Sequence, residues 1–107
     1  MKTIEREELK AKLARGDDFK LVMTMNVWAY EAAHIPGSLN VQDQEDVKRV
    51  LSVDDEIVVY CTNPSCIASI YAYEALHAAG FTNLRRYSGG IQDWIESGEV
   101  FEGTTAP

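Results

Sequence analysis

The sequence predicts a single α/β domain built on a mainly parallel sheet. Apolar runs of β-forming residues alternate with helical stretches, and the turns between them are short. The run Ile57-Val58-Val59-Tyr60 is continuously apolar. That is the pattern of a strand covered on both faces, as in a parallel sheet. The expected domain has helices packed on that sheet. It spans residues 1–102 and is followed by a flexible tail, 103–107, read from its Gly-Thr-Thr-Ala-Pro composition. A chain of 107 residues, 46% hydrophobic and 25% charged, suits one domain and is too short for two.

Each element follows from local pattern. Residues 5–15 form a helix with Leu9 and Leu13 on one stripe and charged residues on the other, closed by Gly16. Phe19 to Met25 is the first strand. A short helical turn, Trp28 to Ala33, stops before Ile35-Pro36-Gly37, where the Pro-Gly pair makes a tight turn. Ser38 to Val41 is a short strand, and Asp43 to Leu51 a helix with Val47, Val50 and Leu51 inward. After the central strand, a helix from Ala68 to Ala79 is apolar nearly all round, which predicts extensive burial. Leu84 to Tyr87 is the last strand. Ser88-Gly89-Gly90 then turns into a helix, Ile91 to Ser97, carrying Trp94. Phe81, Tyr87 and Trp94 are expected in the core, and Trp28 and Tyr30 as packing residues.

Charge and cysteine content narrow the function. A net charge of −7 with 10 Lys and Arg offers no basic face for phosphates, so nucleic acid is excluded as a partner. No apolar run approaches the roughly 18 residues of a membrane span, so a membrane partner is not expected. The N-terminus has no apolar signal core, and a cytoplasmic, reducing location is expected. Two cysteines make no disulfide framework and, without nearby histidines, no metal site. No organic cofactor is implied.

The chemistry concentrates in Cys61-Thr62-Asn63-Pro64-Ser65-Cys66. Ligands of parallel sheets bind beyond the carboxyl ends of the strands, and Cys61 ends the most buried one. Loop amides facing a sulfur form a nest of donors, and the following helix adds its positive end. Both favour thiolate, the reactive form. The alternative is a cysteine that serves only as a small buried hydrophobe.

Several segments together resemble the rhodanese-like domains. Ala33-His34-Ile35-Pro36-Gly37-Ser38 is similar to that family's first signature, and Val58-Val59-Tyr60-Cys61 to its active-site strand. Ser69, Gly80-Phe81, Asn83, Tyr87-Ser88-Gly89-Gly90-Ile91 and Trp94 resemble the remainder, in order and spacing, from Ile4 to Gly98. The resemblance implies a mainly parallel sheet of about five strands with helices on both faces, and a sulfurtransferase. Its cysteine, Cys61 by position, takes the outer sulfur of a donor such as thiosulfate, releases sulfite, and carries the sulfur as a persulfide. A thiophilic acceptor then removes it: cyanide, a thiol or a partner protein. The loop residues Thr62, Asn63, Ser65, Cys66, Ile67 and Ala68 would bind the donor and the persulfide. His34 is expected to order its turn by hydrogen bonds.

The departures are specific. The family's first strand usually carries Asp-x-Arg, where this chain has Met23 and Met25. The Arg that often precedes the helix-opening Ser is replaced by Ala68, so the loop contains no cation. A charged hydrogen bond contributes about 1.5–3 kcal/mol against roughly 1 for a neutral one, so thiosulfate binding should weaken by about one to two powers of ten. Arg85 and Arg86 precede the Gly-Gly turn, and one could approach the site. Cysteine phosphatases use a related loop ending in Arg; here that position is Ile67, which argues against phosphate chemistry. Cys66 is a candidate redox partner able to resolve a persulfide or sulfenate on Cys61. A weakly catalytic or non-catalytic sulfur-carrier or redox-signalling module using both cysteines is therefore the alternative function.

Overall fold

The computed structural model describes residues 1–107. In chain order the elements are α1 (Arg6–Arg15), β1 (Lys20–Met23), α2 (Val27–Ala32), β2 (Leu39–Asn40), α3 (Gln44–Val50), β3 (Ile57–Tyr60), α4 (Ala68–Ala78), β4 (Leu84–Arg86) and α5 (Gly90–Glu96). All strand pairs are parallel, in the order β2-β1-β3-β4.

The sheet has four strands, not the five expected. The place of a fifth is taken by the N-terminus, which makes one parallel bridge, Thr3 to Arg86. Its two hydrogen bonds, Ile4 N to Arg86 O at 3.0 Å and Arg86 N to Lys2 O at 2.9 Å, are all it can form before α1 begins.

Strand alternation divides the core between the two sheet faces. Leu21 and Met23 of β1 and Val58 and Tyr60 of β3 pack with Leu9, Ile91 and Trp94, under α1 and α5. Val22, Ile57, Val59 and Leu84 face the other way, against Leu51, Leu76 and Phe81, under α3 and α4. Cys61 continues the Ile57–Val59 parity and so faces α4.

Phe81, Tyr87 and Trp94 are buried as expected, but α4 is less covered than its composition predicts. Only Ser69 and Leu76 are buried along it, and Tyr71 stands in solvent. Alanine tolerates exposure at small cost, so an alanine-rich helix reads as more buried than it is. Trp28 is 75% exposed and is not a packing residue, whereas Tyr30 stacks on the His34 ring at 3.9 Å.

Buried Tyr60 pins the Pro-Gly turn to the sheet. Its hydroxyl accepts from Ile35 N at 3.0 Å and pairs with Ser38 Oγ at 2.9 Å. Burial pushes the Tyr60 phenol up to about 12, so it stays neutral here. His34 hydrogen-bonds the Tyr30 carbonyl through Nδ1 at 2.7 Å, and its backbone pairs with Glu102. Residues 103–106, which composition assigns to a tail, fold back on α2 through Thr104 N to Glu31 O at 2.9 Å and Thr105 N to Ala32 O at 3.1 Å.

Candidate active site

The site is the loop between β3 and α4. Cys61 extends a strand whose residues are all buried, and is itself 1% exposed. The loop turns back on itself: Asn63 Oδ1 accepts from Ser65 N at 3.0 Å, and Cys66 N donates to Asn63 O at 3.0 Å. Turns of this kind are what an Asn two residues before Ser supplies. The turn brings the Cys66 carbonyl to 3.6 Å from the Cys61 thiol, which donates to it.

The N-terminus of α5 supports the loop from below. Ile91 N donates to Cys61 O and Gln92 N to Thr62 O, both at 2.9 Å. This contact explains the Gly-Gly turn. Gly90 has φ +69°, and a Cβ there would lie 2.5 Å from the Thr62 carbonyl oxygen. Only glycine adopts this conformation freely and lets the backbones approach so closely.

The loop itself carries no cation, but β4 supplies one from beneath. Arg86, 7% exposed, donates from Nε to Ser69 Oγ at 2.8 Å. Its Nη2 reaches the carbonyls of Pro64 and Cys66, both at 3.3 Å. Arg85 points the opposite way and forms a two-pronged pair with Glu8, at 2.7 Å on each prong. Arg86 shares the face of Leu84 and Arg85 does not, so strand parity separates the two.

Ser69 links this cation to the sulfur. The Cys61 thiol donates to Ser69 Oγ at 3.2 Å while Arg86 donates to the same oxygen. When Cys61 is ionised, the Ser69 hydroxyl can turn its proton to the sulfur. An Arg on its oxygen polarises that O–H and strengthens it as a donor.

The two thiols are not equivalent. Burial pushes the Cys61 thiol up, and its hydrogen bond with Cys66 adds to this. Burial acts against Cys66 too, but the hydrogen bond from Cys61 and the amides of Thr62, Ala68 and Ser69 outweigh it, so its thiol lies below the ordinary range. Ionisation is thus easier at Cys66 than at Cys61. The amides of Thr62, Ala68 and Ser69 lower the Cys66 thiol, and of these only that of Ser69 also lowers Cys61. Met25, in place of the family's Arg position, lies with Sδ 3.8 Å from Cys66 Sγ and forms part of the site wall; Met23 is core.

Of the other predicted donor-binding residues, Thr62 and Asn63 are half-buried, Ser65 and Ile67 are exposed, and Ala68 opens α4. Asn63, Pro64 and Ser65 also line a hollow of about 430 Å³ shared with Gly89, Gln92, Asp93 and Glu96. Its carboxylates make that side unfavourable for an anion. The sequence matches Ser69 to the family without giving it a role, and leaves open which of Arg85 and Arg86 approaches the site. The signals available were the Ser opening the helix and the parity of Leu84 and Arg86.

A parallel α/β sheet with a buried cysteine at the carboxyl end of its central strand, under a helix-capped loop, defines a cysteine-loop domain of the rhodanese kind. The family model for the rhodanese-like domain matches residues 5–97, and the chain belongs to that family. A curated relative, the HTH-type transcriptional regulator Rv0324 of Mycobacterium tuberculosis, is 32% identical over 97 residues, 89% of this chain. The chain spans only 42% of that relative's length. Among solved structures, the BH2092 protein of Bacillus halodurans superposes with TM-score 0.90 at 25% identity, covering 98% of this chain and 79% of that one. The human single-domain sulfurtransferase TSTD1 shares the fold, with TM-score 0.73 at 22% identity over 90% of this chain and 96% of its own. No helix is long and apolar enough to cross a membrane.

Proposed function

We propose that the protein is a sulfurtransferase that moves sulfane sulfur from a donor such as thiosulfate to a thiophilic acceptor through a persulfide on Cys61. Membership of the rhodanese-like family supports sulfur transfer at the level of the family. The observation that carries the assignment to Cys61 is its hydrogen bond to Ser69 Oγ, itself held by buried Arg86. This arrangement supplies an oriented, polarised donor to a sulfur that must ionise and then carry negative charge as a persulfide.

The chemistry divides between the parts of the site. Cys61 attacks the outer sulfur of the donor, and sulfite leaves. Ser69 stabilises the ionised sulfur before and after transfer, and the α5 N-terminus and Arg86 hold the loop that encloses it. The Arg86 Nε and Nη2 donors are committed to Ser69 and to loop carbonyls. A dianion such as thiosulfate therefore meets amides instead of a guanidinium clamp, and weak thiosulfate affinity follows. The apolar rim favours acceptors larger than cyanide. Ile67 and Tyr71 are exposed beside the loop, and the Met25–Cys66 contact brings exposed Val27 and Trp28 to the same edge. A thiol-bearing partner protein fits this rim.

The test is steady-state transfer from thiosulfate to cyanide, read as thiocyanate, beside transfer to a small thiol, for the parent chain and Cys61→Ser. The proposal expects turnover in the parent with a high KM for thiosulfate and none in Cys61→Ser. Equal activity in the two chains would overturn it.

A further inference from the structure

The two cysteines share one enclosure. The Cys61 sulfur lies 3.6 Å from the carbonyl oxygen of Cys66, inside a loop closed by the Asn63 turn. The Cys66 sulfur is only partly covered and rests against Met25, while Cys61 is sealed from solvent. A sulfur atom loaded on Cys61 thus has a second thiol in the same loop competing with acceptors that enter from solvent. The Cys66 thiol is displaced below its ordinary range and the Cys61 thiol above it, which favours Cys66 as the attacking residue.

We infer that Cys66 resolves the Cys61 persulfide within the chain, releasing sulfide and leaving a Cys61–Cys66 disulfide. The inference rests on the persulfide reading above and adds the product: the domain reduces sulfane sulfur to sulfide at the expense of a dithiol. In the step, the Cys66 thiolate attacks Cys61 Sγ of the Cys61–S–SH form. The Sγ–Sγ bond forms, and the bond from Cys61 Sγ to the outer sulfur breaks. The outer sulfur leaves as HS⁻ with the proton that it already carries. The two cysteine sulfurs are oxidised by two electrons together and the sulfane sulfur is reduced by two, so no external oxidant enters. A reduced dithiol of the thioredoxin or dithiothreitol class then returns the disulfide to two thiols by exchange. Over one cycle, thiosulfate and a dithiol give sulfite, sulfide and an oxidised dithiol.

The experiment uses the whole chain, reduced, freed of reductant and kept anaerobic, then given thiosulfate or an organic hydropersulfide. Intact mass and released sulfide are followed for the parent, Cys66→Ser and Cys61→Ser. The parent should lose two hydrogens and release one sulfide per chain. Cys66→Ser should gain one sulfur, keep it, and release none. Its persulfide should outlive the parent's by at least about tenfold, because a tethered thiolate acts at an effective concentration of millimolar or more. A parent that holds its persulfide as long as Cys66→Ser, without disulfide, overturns the inference and leaves sulfur loading on Cys61 intact. A disulfide formed without sulfide overturns it equally. A Cys66→Ser chain that takes up no sulfur from either donor overturns the persulfide reading itself.

Discussion

Arg86→Met is the perturbation that most directly tests how the site is built. The guanidinium makes one short hydrogen bond, to Ser69 Oγ at 2.8 Å, and two long ones, to the carbonyls of Pro64 and Cys66 at 3.3 Å. A bond from a charged donor contributes about 1.5–3 kcal/mol, and the longer pair contributes less than that each. Methionine keeps the apolar stem but leaves these acceptors without their donor. The sum is a loss of about 3 kcal/mol, and with a urea slope of about 1.5 kcal/mol/M the midpoint should fall by about 2 M. Arg86→Lys retains charge but not the fork, and should recover less than half of the loss. The functional readout is alkylation of Cys61 in a Cys66→Ser background. Loss of Arg86 should slow it at neutral pH, because Ser69 becomes a weaker donor to the thiolate. A midpoint within about 0.3 M of the parent, with unchanged alkylation, would refute the claim that Arg86 organises the loop.

Other outcomes follow from the same geometry. Gly90→Ala should cost about 1–2 kcal/mol from left-handed backbone strain alone, more once the Thr62 carbonyl is displaced, and should expose Cys61 to faster labelling by a bulky maleimide. Tyr60→Phe leaves the buried Ile35 amide without its acceptor and should cost about 1–3 kcal/mol in thermal or urea unfolding. Iodoacetamide at rising pH should label Cys66 first, with a midpoint below that of a free thiol, because its thiol is displaced downward and that of Cys61 upward. Cys61 should follow at higher pH. In Cys66→Ser its midpoint should fall, since its hydrogen bond to Cys66 is one cause of its upward displacement. Labelling of Cys61 ahead of Cys66 would contradict this ordering.

The fold was legible because its strongest signals are local. A continuous run such as Ile57 to Tyr60 has few alternatives to a doubly covered strand, and the structure places that strand as expected. Glycines with positive φ, such as Gly16 and Gly80, mark where the first and fourth helices end. What failed depended on distant partners. Trp28 reads as a packing residue from its type alone, and nothing local says that no element covers it. The fifth strand failed because the N-terminus has room for one bridge only before α1. At the site, the position of Cys61 and the absence of a loop cation were readable. The role of Arg86 was not, because it arises from a strand distant in sequence whose parity matters more than its charge. Nor could the sequence show that the Cys66 thiol is displaced downward and the Cys61 thiol upward, since that depends on how the loop turns at Asn63.

The central claim is that Cys61 carries the sulfur. It is tested most directly by peptide mapping of thiosulfate-treated Cys66→Ser protein, alkylated at once and compared with Cys61→Ser. The account predicts one added sulfur on the peptide bearing Cys61, removed by cyanide, and none in Cys61→Ser. Sulfur found on Cys66 in Cys61→Ser, with none on Cys61 in Cys66→Ser, would contradict it.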